Sequence, residues 1–234
     1  MFAIYKREMR SYFTTPIGYI FLSIFLLFSG GVFCYTTLYS YSNDISTYFT
    51  VMLILFAVLL PLLTMKLFSE EKKQKTEQLL LTAPISILSM VTAKFLAAYT
   101  MFGGAMIFSS FSFIILYAYA KIQTAMLLGN IFAILLVGGA FIAIGVFVSS
   151  VTDSQLAAAV GTVAILAFFL VISLVNSFIK VYFIRFIFSS VSIFSRFQNF
   201  TQGVFDVSAL IYYLSVCAVF LFLTVCVYDK RRWE

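Results

Sequence analysis

Charge is missing from six long stretches of this chain and crowded between them. Residues 11–43, 45–65, 95–120, 122–152, 154–179 and 207–228 hold no Asp, Glu, Lys or Arg. The hydrocarbon core of a bilayer is about 30 Å thick and takes about 20 apolar residues in a helix. Backbone groups in lipid must also find their hydrogen bonds within their own segment. The pattern therefore predicts an all-α polytopic membrane protein with six transmembrane helices, at 17–39, 48–66, 92–119, 126–149, 156–179 and 208–228. The apolar run that begins at Ile17 is longer than the core of a signal peptide and has no Ala-x-Ala site, so it is expected to stay as the first span.

Between the spans, 40–47 and 150–155 are short, while 66–94 and 180–206 have room for structure of their own. The whole chain, 1–234, reads as one transmembrane domain. Residues 1–15 mix Phe2, Ile4, Tyr5, Met9, Tyr12 and Phe13 with Lys6, Arg7, Glu8 and Arg10, a pattern suited to a helix lying along the membrane interface. Residues 180–206 interleave aromatics with Arg185 and Arg196, and are expected to be interfacial or re-entrant with snorkelling arginines. Residues 67–91 form the remaining polar segment.

The densest charge lies in 67–82, LFSEEKKQKTEQLLLT. Ser69 suits a helix N-cap, and Glu70 and Glu71 would meet the positive end of the helix dipole. Glu71 and Lys75 are spaced for an ion pair on one helix face, Leu79 to Leu81 give an apolar end, and Pro84 stops the helix. Such a helix could face an aqueous partner and grip the membrane domain. On composition alone a solvated loop explains the run equally well.

Composition narrows the classes. With 63% hydrophobic and 10% charged residues, a soluble domain of 234 residues would lack polar surface to cover its core. The 29 Phe and 14 Tyr suit lipid-facing surface and interfacial belts. The net charge of +6 is spread over helix ends instead of one basic face, which excludes nucleic acid as a partner. With the N-terminus inside, Lys6, Arg7, Arg10, Lys66, Lys72, Lys73, Lys75, Lys94, Lys230, Arg231 and Arg232 fall on the cytoplasmic side, against Lys121, Lys180, Arg185 and Arg196 outside. This asymmetry sets both termini in the cytoplasm.

The chain has no His, which removes HExxH zinc sites, Ser-His-Asp triads and histidine proton relays. Asp44, Asp153, Asp206 and Asp229 fall near helix ends, and Cys34, Cys217 and Cys226 lack CxxC spacing and read as packing residues. No cofactor or metal is expected. There is no GxxxxGK[ST] phosphate loop, so this chain is not expected to be an ATPase or any other enzyme. A secondary transporter or channel usually carries ionisable groups at mid-membrane, and none is predicted. A non-transporting membrane scaffold would leave much the same sequence. The pairs Gly30-Gly31, Gly103-Gly104 and Gly138-Gly139, and the Ala157 to Gly161 spacing, are read as close helix packing.

Pro61-Leu62-Leu63-Thr64-Met65-Lys66-Leu67-Phe68-Ser69-Glu70-Glu71-Lys72-Lys73, then 76–86 (TEQLLLTAPIS), then Lys94-Phe95, resemble the signature of ABC transporter type-2 permeases. The subgroup resembled includes gliding-motility and copper-processing permeases. Lys6-Arg7-Glu8, Tyr12-Phe13 and Pro16-Ile17-Gly18-Tyr19 near the start, with Phe197-Gln198-Asn199-Phe200, Gly203-Val204-Phe205-Asp206 and Tyr212-Tyr213 near the end, extend the likeness over nearly the whole chain.

The resemblance implies the membrane subunit of an ATP-driven ABC exporter in a bacterial or archaeal cytoplasmic membrane. It also implies two ATP-binding cassette subunits that bind the ATP, and a second permease subunit, identical or related. The coupling role against the cassette then falls on Glu70, Glu71, Lys72, Lys73, Thr76, Glu77 and Gln78. Asp153, in Thr152-Asp153-Ser154-Gln155, resembles a second contact, where a plain tight turn reads equally well. Where relatives commonly carry Gly-Thr and then an acidic residue, this chain has Lys75-Thr76 and a neutral Gln78. The apolar spans give the expectation of a hydrophobic or lipid-like cargo.

Overall fold

A computed structural model describes residues 1–39, 45–73, 75–77, 86–119, 124–176, 192–201, 203 and 206–233. No strand occurs among them. The helices are α1 (Phe2–Thr14), α2 (Pro16–Phe33), α3 (Ile45–Thr64), α4 (Ser69–Lys73), α5 (Ile87–Ser110), α6 (Ser112–Tyr119), α7 (Thr124–Val151), α8 (Gln155–Asn176), α9 (Ile193–Thr201) and α10 (Val207–Trp233). A π-helical stretch, Cys34–Tyr39, continues α2. Six segments are long and apolar enough to cross a membrane: Pro16–Thr37, Ile45–Lys73, Ile87–Ile114, Thr124–Val151, Gln155–Asn176 and Val207–Arg232. These are the six spans that the charge gaps predict.

Local chemistry sets the breaks. Pro16 forces the residue before it out of the helical region, and Thr15 is extended at φ −99° and ψ 153°. The chain turns there, so that α1 stands apart from the first span. Pro61 sits inside α3, where it can give no amide proton. Its carbonyl still accepts from Met65 N at 2.9 Å, and the helix runs on.

The core is built around α7. Ala133, Val137, Ala140 and Ile144 are fully enclosed, and α3, α5, α8, α9 and α10 all pack on this helix. Small residues let them approach. A Cβ on Gly138 would overlap the Phe102 ring of α5, one on Gly145 would overlap the Thr64 side chain of α3, and Gly161 of α8 lies close to Val148. Gly30, Gly31, Gly103 and Gly104 differ from the sequence expectation, because a Cβ on any of them would meet open space. Packing within the subunit thus explains Gly138, Gly139 and Gly161 but not the other two pairs. Of the cysteines, Cys217 is half-buried, and Cys34 and Cys226 are exposed instead of packed.

One polar cluster lies within the apolar bundle. The hydroxyls of Ser29 (α2), Tyr48 (α3) and Ser109 (α5) form a closed triangle, with Ser29 to Tyr48 at 2.9 Å, Tyr48 to Ser109 at 2.8 Å and Ser29 bonded to Ser109. Each buried hydroxyl thereby finds partners where lipid supplies none. At the end of the bundle where α10 begins, α9 buries Ile193, Phe194, Phe197 and Phe200. Tyr213 donates to Ile193 O at 2.7 Å. Arg196 lies over the Tyr212 ring at 4.5 Å and donates to Ser208 Oγ at 3.3 Å, so its side chain is tied to the start of α10. The rest of the 180–191 reading lies outside the described residues, as do Asp44 and Lys121.

Gly138→Val is expected to cost about 1–3 kcal/mol by overpacking against Phe102. Gly103→Ala, with open space around it, should be neutral or gain up to about 1 kcal/mol from helix propensity. Thermal unfolding of the two variants in detergent checks the contrast.

Candidate functional site

The second span does not end where α3 does. Leu67 N bonds to Thr64 O at 3.1 Å and Lys72 N to Phe68 O at 3.2 Å, which carry the chain through residues 65–68 into α4. Ser69 therefore lies within a continued helix and does not cap one: its hydroxyl donates back to Met65 O. The partner for the turn comes from α7. Ser149 Oγ accepts from Phe68 N at 3.1 Å and Ser69 N at 3.2 Å, and donates to Met65 O at 3.2 Å.

Beyond Lys73 the helix closes on itself. Lys75 N bonds to Lys72 O and Thr76 N to Glu71 O, each at 3.0 Å, and Lys75 has φ 56°. These are the two bonds and the left-handed residue of a Schellman stop. Glycine meets no Cβ penalty there and lysine does, which gives a physical meaning to the Lys75 departure noted in the sequence. The predicted helix running on toward Pro84 is thus interrupted after one turn, and Glu71 and Lys75 do not pair. Leu79 to Leu81, Pro84 and Gln78 lie outside the described residues.

Glu71 turns inward instead. Lys94 of α5 is fully enclosed, with Nζ 2.9 Å from Glu71 Oε2, 3.2 Å from Glu8 Oε1 and 2.5 Å from Leu67 O. All three ammonium protons have acceptors, and the Phe68 ring lies 4.8 Å beneath. Arg7 Nη2 closes the figure at 2.9 Å from Glu8 Oε1 and 2.5 Å from Glu71 Oε1. Two cations and two carboxylates alternate, and the cluster joins α1, α4 and α5. Burial pushes the Glu8 carboxyl up, but attraction to Lys94 and the bond and charge of Arg7 outweigh it and hold the group below its ordinary value.

Three further ties surround this clasp. Lys72 Nζ donates to Ser150 O and to Thr152 O at 3.4 Å and lies 3.6 Å from Asp153 Oδ1, fixing α4 to the α7–α8 turn. Lys66 Nζ donates to Thr15 Oγ1 at 3.0 Å and lies 3.6 Å from Glu70 Oε2. Arg231 near the end of α10 lies 3.2 Å from Glu77 Oε1, and Tyr228 packs on Phe68 with ring centroids 4.8 Å apart. Tyr12 of α1 donates to Leu63 O at 3.1 Å.

The structure brings Glu71, Lys72 and Glu77 against other helices, sets Glu70 beside Lys66 of its own span, leaves Thr76 half-buried, and leaves Lys73, Lys75 and Asp153 exposed. Arg7, Glu8, Lys94, Ser149 and Arg231 were missed as parts of the site. For Glu8 a signal existed: the buried stripe of α1 is Ile4, Glu8 and Tyr12, with a carboxylate in the middle of an apolar face. No group of His, Cys, Asp and Glu among the described residues is arranged to hold a metal ion.

A family model described as ABC-2 family transporter protein matches residues 2–233. Among curated proteins, none matches the chain.

Removing one partner of a buried charge cluster leaves the others unpaired, so Lys94→Met is expected to cost roughly 3–5 kcal/mol in thermal unfolding. Glu8, whose folded pKa is depressed, contributes stability that is present above its ordinary pKa of 4.5 and is lost as the pH falls through the lower folded value. Hydrogen exchange of residues 2–14, corrected for intrinsic rates, should therefore stay protected at pH 4.5 and rise only in stronger acid. Lys75→Gly should stabilise the protein by about 1 kcal/mol by relieving the left-handed lysine.

Proposed function

The chain belongs to the ABC-2 family of transporter proteins and is a membrane permease of an ABC transporter; from that premise we propose that it is an exporter subunit driven by separate ATP-binding cassette subunits that press on residues 69–77. The two-sidedness of this segment carries the reading. Its inner side is tied by Glu71, Lys72 and Glu77 to α5, the α7–α8 turn and α10, and its outer side presents Lys73 and Lys75. A push on the outer side therefore reaches several helices at once.

The cycle is a shift between two packings. Closure of the cassettes on ATP loads the segment, and α1, α5 and α7 follow because the clasp and the Ser149 hydroxyl bind them to it. Asp153, exposed beside Lys72, is the second point of contact. Glu70, Thr76 and Gln78 complete the coupling surface. ATP stays on the partner, since this chain has no phosphate loop.

A second permease, the same chain or a related one, completes the pathway. The largely uncovered faces of α2, α8 and α10 are available to it and to lipid. The cation asymmetry supports a cytoplasmic position for the charged end, and the likeness to the family supports a bacterial or archaeal cytoplasmic membrane. Between their ends the described spans offer mostly apolar surface and no ionised group, which supports a hydrophobic or lipid-like cargo.

Co-purification with the cassette and nucleotide-dependent ATPase activity test the reading. The double variant Lys73→Glu, Lys75→Glu should lower cassette association about ten-fold by reversing exposed charge, with the permease still folded. Glu71→Gln should keep association and lower cargo-stimulated ATPase activity about five-fold, because the clasp is broken while the docking face is intact. Unchanged association in the first and unchanged activity in the second would sink the assignment. So would labelling of a cysteine at position 73 from outside intact cells.

A further inference from the structure

The groove between α1 and α5 lies beside the clasp and has no part in it. It is lined by Met1, Phe2, Tyr5, Leu96 and Thr100 and encloses about 390 Å³. The two polar side chains in its lining are already spent: Tyr5 donates to Thr100 Oγ1 at 3.2 Å, and Thr100 donates to Ala97 O at 3.0 Å. What faces the groove is hydrocarbon and ring surface. Phe2 is 76% exposed and Leu96 36% exposed, so apolar surface stands open beside the highest concentration of charge in the molecule.

Helix α1 divides its charges in two. Arg7 and Glu8 turn into the clasp, while Lys6 and Arg10 are exposed and form no ion pair among the described residues. Phe2, Lys6 and Arg10 follow at intervals of four, which sets them on one flank of the helix, a turn apart. That flank passes from the apolar groove to two unpaired cations. A peptide strand or helix would bring backbone amides and carbonyls that the groove cannot satisfy. A hydrocarbon chain brings none.

We propose that this groove holds one acyl chain of an anionic phospholipid, with the phosphate of the headgroup drawn to Lys6 and Arg10. Apolar surface receives the chain, and the two cations at the membrane interface receive the charge. The site is distinct from the surface offered to the cassette; it shares α1 and α5 with the clasp, Tyr5 and Glu8 being three residues apart and Lys94 and Leu96 two, but no residue.

The full-length protein in nanodiscs tests it, with phosphatidylglycerol or phosphatidylcholine carrying a diazirine on the acyl chain and mass spectrometry of the adducts. Irradiation in phosphatidylglycerol should label residues 1–5 and 96–100 about five-fold more than the open apolar surface around Leu156 and Val160. Leu96→Trp, which fills the groove, should remove most of that excess; Thr100→Phe serves the same purpose if the first variant misfolds. Lys6→Gln with Arg10→Gln should lower labelling in phosphatidylglycerol and leave it unchanged in phosphatidylcholine. Even labelling of all exposed apolar surface, unaffected by the filling variants, would mean annular lipid only and overturn the site. Equal labelling by both lipids, unaffected by Lys6→Gln with Arg10→Gln, would overturn the headgroup assignment. A competing excess of free fatty acid that abolishes labelling at concentrations where phosphatidylglycerol does not would overturn the phospholipid in favour of the single-chain acid.

Discussion

An ammonium group fully withdrawn from water is the constraint around which the charged end is arranged. Lys94 is tolerable in that position only because two carboxylates and a backbone carbonyl take its protons. Those acceptors belong to α1, to α4 and to the turn between α3 and α4. Desolvation of one lysine thus recruits two stretches far from it in sequence, α1 and the segment from Leu67 to Glu71. Their geometry is then shared, since displacing any one leaves a buried charge unpaired. The neighbouring ties through Lys72, Lys66 and Arg231 are more exposed or less complete and add position more than energy.

The bundle above this end follows a different logic. In lipid there is no hydrophobic drive between helices, so close approach and hydrogen bonding must hold them. Gly138 and Gly145 admit Phe102 and Thr64 to the α7 backbone. The hydroxyls of Ser29, Tyr48 and Ser109 link the first three spans. By contrast, most of α2, α8 and α10 stays uncovered within the subunit. The centre is finished within one chain, and the periphery is built to meet something else.

Much of this was legible in the sequence because charge is so costly in lipid. The six gaps in charge match the six spans, and the dense run after the second span is where the polar end gathers. The details of that end were not legible. A local reading assigned Ser69 to a cap and Glu71 to Lys75, both neighbours along the chain. The structure gives Ser69 the carbonyl of Met65 and gives Glu71 partners 23 and 64 positions away, in Lys94 and Arg7. Pairings over such separations leave no periodic trace. The open surroundings of Gly30, Gly31, Gly103 and Gly104 were hidden for the same reason, since a glycine pair looks alike whether or not a neighbour fills the space beside it.

The hydroxyl triangle of Ser29, Tyr48 and Ser109 has an electrical consequence. It satisfies buried polarity in the half of the first three spans remote from the clasp with neutral groups, and the ionised residues among those described lie toward the ends. A membrane potential does work only on charge that moves through it, about 2.3 kcal/mol per elementary charge per 100 mV. With no such charge in the described interior, rearrangement of these spans around the triangle moves no side-chain charge through the centre of that field.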